Sequence, residues 1–432
     1  MIGAQDRWRA LLAFGLGLLA LASVWKTAPA HVGAALALLG ALAGLATGPR
    51  PRWDSVDTVA SLLACWLVAR YALQLAGVGE PMLIETRGGF LDWLWPLLFA
   101  PLAVDRRNPL QRVQTLWLLA MAGFAAGVGG YFLSAGVGPL LAGERLGFHL
   151  RRPLGVGLYA GAFLLSLAFT APLWWRVEGG WRWPARVGAI AVILLCAVVL
   201  VGAQNRSTWL GLAAVGVAAA GVVLVHALRQ RGDRRRRYAL LLAATALLAG
   251  TVAILKGPIE SRTEVERQAV DTVLAQGLDT AAPTSITIRL RIWSYALGRV
   301  PDAPLFGHGF GRVQDVLGRD LRGGAALLEG ERQDHLHSTY LQTLYGQGLI
   351  GCVLWATLGL LLVRNLIRRA RRDARLRPLV PAILAVLGFT AVWALTDYRL
   401  SHPDMRFFTI LLLLALRLLG SGDPRDGQSS ST

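Results

Sequence analysis

A chain of 432 residues that is 54% hydrophobic and only 16% charged, with mean hydropathy +0.49, excludes an ordinary soluble domain. It suits an all-α polytopic membrane protein. The formal net charge of +18 lies largely in arginine runs between apolar segments, which points to lipid headgroups and leaves no role for nucleic acid.

In chain order, twelve apolar segments of about 17–23 residues are each long enough to cross a hydrocarbon core of roughly 30 Å. They fall at about 9–25, 29–47, 57–76, 89–104, 112–134, 153–173, 185–203, 208–228, 238–255, 348–367, 379–396 and 405–420. The fourth is the weakest, being short and carrying Asp92. The first run reaches Lys26 without a small-residue cleavage site, so it is expected to stay as a span. Cys65, Cys196 and Cys352 fall inside these runs and read as packing residues, not as a disulfide framework or a metal cluster.

Alternation then places Arg50, Arg52, Arg106, Arg107, Arg112, Arg176, Arg182 and Arg186 on one side. The runs "RQRGDRRRR" and "RNLIRRARRDARLR" join them, and those two alone hold thirteen arginines. The positive-inside rule makes that side cytoplasmic and predicts both termini there.

One connection breaks the pattern of short loops. Three regions follow: spans one to nine over 1–255, a large outer loop over 256–347, and spans ten to twelve with a cytoplasmic tail over 348–432. The loop holds eleven acids and ten basic residues. Its segments "IESRTEVERQAVDTVLAQG" and "SITIRLRIWSYALGRV" have helical apolar spacing, and "PLFGHGFG" reads as a glycine-rich turn.

Charges on the outer side run against the topological bias and are the informative ones. "GERLGFHLRRP" carries Arg145, His149, Arg151 and Arg152, and "GAQNRSTW" carries Arg206 at the mouth of the eighth helix. Arg206 is read either as a residue snorkelling to lipid phosphate or as a planar fork for a phosphate or pyrophosphate. Arg289 and Arg291 point about 200° apart on a helix. Arg289 shares a face with Trp293 and is the better ligand candidate. The last outer loop, "TDYRLSHPDMR", adds Asp397, Arg399, His402, Asp404 and Arg406.

The stretch "HLHSTYLQTLYGQGLIG" (His335 to Gly351) leads into the tenth span. Ser338 or Thr339 is a natural helix N-cap. His337 then stands at the positive end of the helix dipole, which favours a neutral ring fit for a general base. Asp334 is placed to orient it, and His335 reads as support. A cap histidine and a metal site remain alternatives. His335 and His337 with Asp334 and either His308 or His402 would supply enough metal ligands, although the spacing matches no established ligand pattern.

These features together resemble the O-antigen ligase and polymerase superfamily, and within it the O-antigen ligases. The resemblance rests on Asn205–Arg206, on Arg289 with Trp293, on Pro304 to Gly309, and on His337–Ser338 ahead of Gly348 to Gly351. Ser338 stands where that family more often has Asn, and Asn205–Arg206 where it more often has Ser-Arg.

The resemblance implies glycosyl transfer at the periplasmic face of a Gram-negative inner membrane. The donor would be O-antigen on undecaprenyl pyrophosphate and the acceptor a hydroxyl of lipid A-core. His337 would be catalytic, with Arg206, Arg289, Arg151 and Arg152 on the pyrophosphate and Ser338, Asp334, His335 and Trp293 in support. A donor activated by its own leaving group needs no cofactor, and the sequence offers neither a nucleotide-binding glycine motif nor a clear metal cage. A polymerase, a protein-glycosylating ligase and a lipid-linked glycan transporter are the alternatives.

Overall fold

The computed structural model describes residues 4–48, 53–78, 86–150, 153–229, 263–278, 284–311 and 335–421, with isolated positions at 238, 239, 242, 245, 249 and 280. The described residues are helical, with no strand among them. In chain order the main helices are α1 (Ala4–Ala22), α2 (Thr27–Thr47), α3 (Ser55–Leu75), α4 (Thr86–Leu94), α5 (Pro109–Ala135), α6 (Pro153–Phe169) and α7 (Arg182–Ala203). They continue with α8 (Arg206–Arg229), α9 (Thr263–Gln276), α10 (Ser285–Arg299), α11 (Thr339–Arg372), α12 (Val380–Thr396) and α13 (Pro403–Gly420).

Among the described residues, seven helical segments are long and apolar enough to cross a membrane: those containing α2, α3, α5, α7, α8, α11 and α12. The chain is therefore a multi-pass membrane protein. The twelve expected spans are not all of this kind. α6 has 17 residues and is apolar but short. α13 carries Asp404, Arg406 and Arg417, more charge than a simple span tolerates. The expected fourth span is broken into α4, a 3₁₀ turn at Trp95–Leu98 and a short helix at Phe99–Leu102. Pro96 and Pro101 explain the interruption, because each removes a backbone donor and crowds the preceding turn. The expected ninth span, 238–255, lies almost wholly outside the described residues.

Helix packing uses small residues, as expected where lipid removes the hydrophobic drive between helices. α1 lies so close to α2 that a Cβ on Gly40 would meet the Leu12 backbone at 2.6 Å. Phe389 of α12 fills the space left by Gly161 of α6 and Gly211 of α8. Large apolar side chains such as Leu118, Leu133, Val222 and Leu360 remain exposed on helix flanks, the surface that lipid covers.

Two buried arginines act as struts. Arg417, 2% exposed, donates to Asp54 and Asp57 at the start of α3, at 2.6 Å each. Arg70, near the far end of α3, donates to the carbonyls of Gly307 (3.0 Å) and Val78 (3.1 Å). One turn on, Gln74 pairs with both backbone groups of Phe310, donating to its oxygen and accepting from its nitrogen at 2.7 Å each. α3 thus ties the glycine-rich turn to the bundle by pairing buried side chains with the turn's own backbone groups.

Candidate functional site

The turn over 304–310 is held from its other side by α11. His308 donates its amide to Tyr345 (2.6 Å), and Gly309 donates to Gly346 (3.0 Å). Leu349 donates to Pro304 at 2.9 Å. To allow this, α11 breaks at Gly348, whose φ of 66° and ψ of −171° lie in a region that only glycine occupies comfortably. A Cβ there would run into the Leu305 carbonyl, and one on Gly307 would meet the Gly348 amide. The glycines of "PLFGHGFG" and "GQG" therefore serve one joint, in which two stretches of backbone lie against each other.

That joint fixes the first turns of α11 and the residues leading into it. Ser338 caps the helix, accepting from the Leu341 amide at 3.4 Å. The amide of Leu336 donates to Gln342 (2.9 Å), and Trp293 of α10 donates its indole N–H to the Leu336 carbonyl (2.6 Å). α10 starts from a capping box between Thr284 and Thr287, and so presents Trp293 and Arg289, one turn apart, toward the histidines. Arg291 turns the other way, is buried, and donates to the Leu278 carbonyl at 2.9 Å. The two arginines have different work.

His337 has a φ of 50°, an uncommon left-handed conformation for a residue with a side chain. Its amide donates to Nδ1 of His335 at 3.2 Å, and the two rings meet edge to face at 4.3 Å. Asp397, just past α12, completes the group: ligand atoms of His335, His337 and Asp397 all lie within 4.8 Å of one another. The backbone of Asp397 is anchored by Thr339, whose hydroxyl donates to its carbonyl at 3.0 Å. Asp397 also brings the start of α8 close, because its neighbour Thr396 donates to Ser207 at 2.9 Å. Arg206, the first residue of α8, is adjacent to that contact.

The electrostatics of the group follow from its burial. Burial, and then the charge of Arg289, lowers the His337 pKa to about 4. Burial likewise holds His335 well below the ordinary histidine value, with His337, His402, Arg399 and Arg289 adding to the effect. Burial pushes Asp397 up to about 6, against the opposing pull of Arg399 and Arg289. The neutral His337 expected from the helix dipole is thus produced mainly by desolvation and Arg289. Both rings are neutral at pH 7, next to a carboxyl that titrates within reach of neutrality.

Asp397 is a carboxylate beside His337 that the sequence reading did not single out for that place. Asp334, Arg151 and Arg152 lie outside the described residues. His308 is engaged elsewhere, with Nε2 at 2.7 Å from the Arg299 carbonyl and its ring stacked on Tyr345. By distance alone His335, His337 and Asp397 would admit one cation. Two features oppose it: Nδ1 of His335 already accepts a backbone N–H, and Arg289 and Arg399 set permanent positive charge beside the same groups.

A cleft of about 570 Å³ opens next to the histidines, lined among others by Arg87, Asp92, Gln342, Tyr398, His402 and Arg406. Tyr398 links the two, its ring 5.6 Å from that of His335.

The segment that carries α8, α10, the glycine joint and both histidines is also the segment with a recognisable family. Residues 191–356 match the family model described as O-antigen ligase (Wzy_C). The match supports membership of the O-antigen ligase/polymerase superfamily. The superfamily indicates a glycosyltransferase-like enzyme acting on a lipid-linked polysaccharide in a membrane. Asp397 and most of the cleft lie beyond the matched residues. No curated protein sequence matches the chain.

Proposed function

We propose that the chain is an O-antigen ligase, moving a polysaccharide from undecaprenyl pyrophosphate to a sugar hydroxyl of lipid A-core at the periplasmic face of the inner membrane. The carrying observation is the grouping of His337, Asp397 and Arg289 at the mouth of membrane-crossing helices, in and beside the matched segment. Both substrates are anchored in lipid, so a site at the bilayer boundary lets them arrive sideways.

In this reading the acceptor hydroxyl attacks the anomeric carbon while His337 takes its proton. The bond to the pyrophosphate oxygen breaks, and that oxygen leaves with the electron pair. Asp397, as carboxylate, stabilises the imidazolium that forms. Arg289 and Arg206 meet the charge growing on the leaving group, each with a planar fork that matches phosphate oxygens. Arg151 and Arg152 remain candidates for a third contact, and His335, Ser338 and Trp293 hold the His337 loop. Asp397 is 1% exposed, so it serves the histidines and not the sugar carbon. A single displacement with inversion follows, and no cofactor enters the step.

A polymerase would use the same donor chemistry with a second lipid-linked glycan as acceptor. The deciding experiment supplies purified protein with lipid-linked glycan in the presence or absence of lipid A-core. Capped lipid A-core is the expected product. Lengthened lipid-linked glycan, formed without lipid A-core, would contradict the ligase reading in favour of the polymerase.

A further inference from the structure

The cleft beside the histidines has a character of its own. Arg206 and Arg289 do not line it. Its walls come from α4, the glycine turn, α11 and the start of α13, elements on the His335 side of the group. Two guanidinium groups, Arg87 and Arg406, and one carboxylate, Asp92, are among its lining residues. Arg406 is engaged, with Asp92 at 3.5 Å and the Ser401 carbonyl at 2.9 Å. Arg87 is exposed and makes no ion pair among the described residues.

The remaining lining suits a sugar. The half-buried Trp95 supplies an apolar wall, while Gln342, Ser401 and His402 bring side chains able to donate to or accept from hydroxyl groups. Gly89, Gly309 and Gly346 also border it, their missing side chains making room for neighbouring protein atoms. The volume of about 570 Å³ is within the usual roughly 300–1,000 Å³ of a small-molecule site, too large for a lone ion.

We propose that this cleft is the acceptor subsite, and that it takes a sugar bearing an anionic group, phosphate or carboxylate, held by Arg87. The donor's pyrophosphate and the acceptor then sit on opposite flanks of the histidine pair. Only the word "acceptor" rests on the glycosyl-transfer reading. The affinity for an anionic sugar stands on the cleft alone.

The test uses the full chain in lipid nanodiscs and calorimetry with three synthetic trisaccharides: one with a phosphate monoester, one with a carboxylate, one neutral. At least one anionic trisaccharide should bind about tenfold more tightly than the neutral one, the scale of one charge-assisted contact. Arg87→Ala should remove that preference, and Arg87→Glu should reverse it. Which anionic sugar binds better separates phosphate from carboxylate. In transfer assays Arg87→Ala should raise KM for the acceptor while leaving KM for the donor and kcat little changed.

Equal binding of all three sugars, or a preference that survives Arg87→Glu, would overturn the proposal. The two readings fail separately. Normal transfer by a His337→Ala protein would remove the catalytic reading and leave the anionic-sugar site standing. An absent preference in a chain that still transfers sugar would do the reverse.

Discussion

His337 and Asp397 are separated in sequence by α11 and α12, yet their side-chain ligand atoms lie within 4.8 Å of each other. The pairing gives the histidine a partner that titrates near neutrality. Asp397 is raised to about 6 and His337 lowered to about 4. As pH falls through 6, Asp397 takes up a proton while His337 stays neutral. Transfer should therefore decline below pH 6 because the carboxylate is lost, before the base itself is protonated. Asp397→Asn should be slower, by no more than the roughly 10²–10⁴-fold that the base it supports contributes. It should also lack the inflection near pH 6. A pH profile with an unchanged inflection in that variant would separate Asp397 from the chemistry.

Arg289 faces the histidine group, whereas Arg291 is buried and holds a backbone carbonyl. Lysine keeps charge but not the planar pair of donors. Arg289→Lys should lower kcat by roughly 100-fold, comparable with loss of one preorganised donor to a growing negative charge. Steady-state kinetics with purified lipid-linked donor measure this. Arg291→Lys should act through stability, visible as a lower Tm.

Gly348 carries the joint between the glycine turn and α11. Gly348→Ala would place a side chain in a glycine-only conformation against the Leu305 carbonyl. A cost on the order of 1–3 kcal/mol is expected from the backbone alone. Thermal unfolding in detergent should show a Tm lowered by several degrees, with transfer reduced because the joint positions His337. An unchanged Tm would mean that the kink is not required.

The cluster of His335, His337 and Asp397 makes metal removal informative. Arg289 and Arg399 weigh against a cation there, so transfer by the purified protein should survive a chelator. Loss of activity on chelation, restored by a divalent ion, would assign those three residues to a metal instead.

Much of the fold was legible because apolar runs and arginine-rich connections are long-range signals that survive without tertiary context. The N-cap at Ser338 and the shared face of Arg289 and Trp293 were legible for a local reason: helix geometry fixes them over one or two turns. What escaped was set by contacts distant in sequence. Nothing near His337 in sequence points to Asp397, which reaches it only through the packing of α11 and α12. The broken crossing around Trp95–Leu98 had a local signal in Pro96 and Pro101 that the apolar run concealed. The task of Arg70 and Gln74 needed the turn at 307–310 to be in place before it had meaning.

The most direct test of the account is single-turnover transfer by His337→Ala protein, with matched membrane insertion and Tm. The account predicts loss of transfer by roughly 10²–10⁴-fold, with lipid-linked donor still bound. Capped product formed at the normal rate by that variant would contradict it.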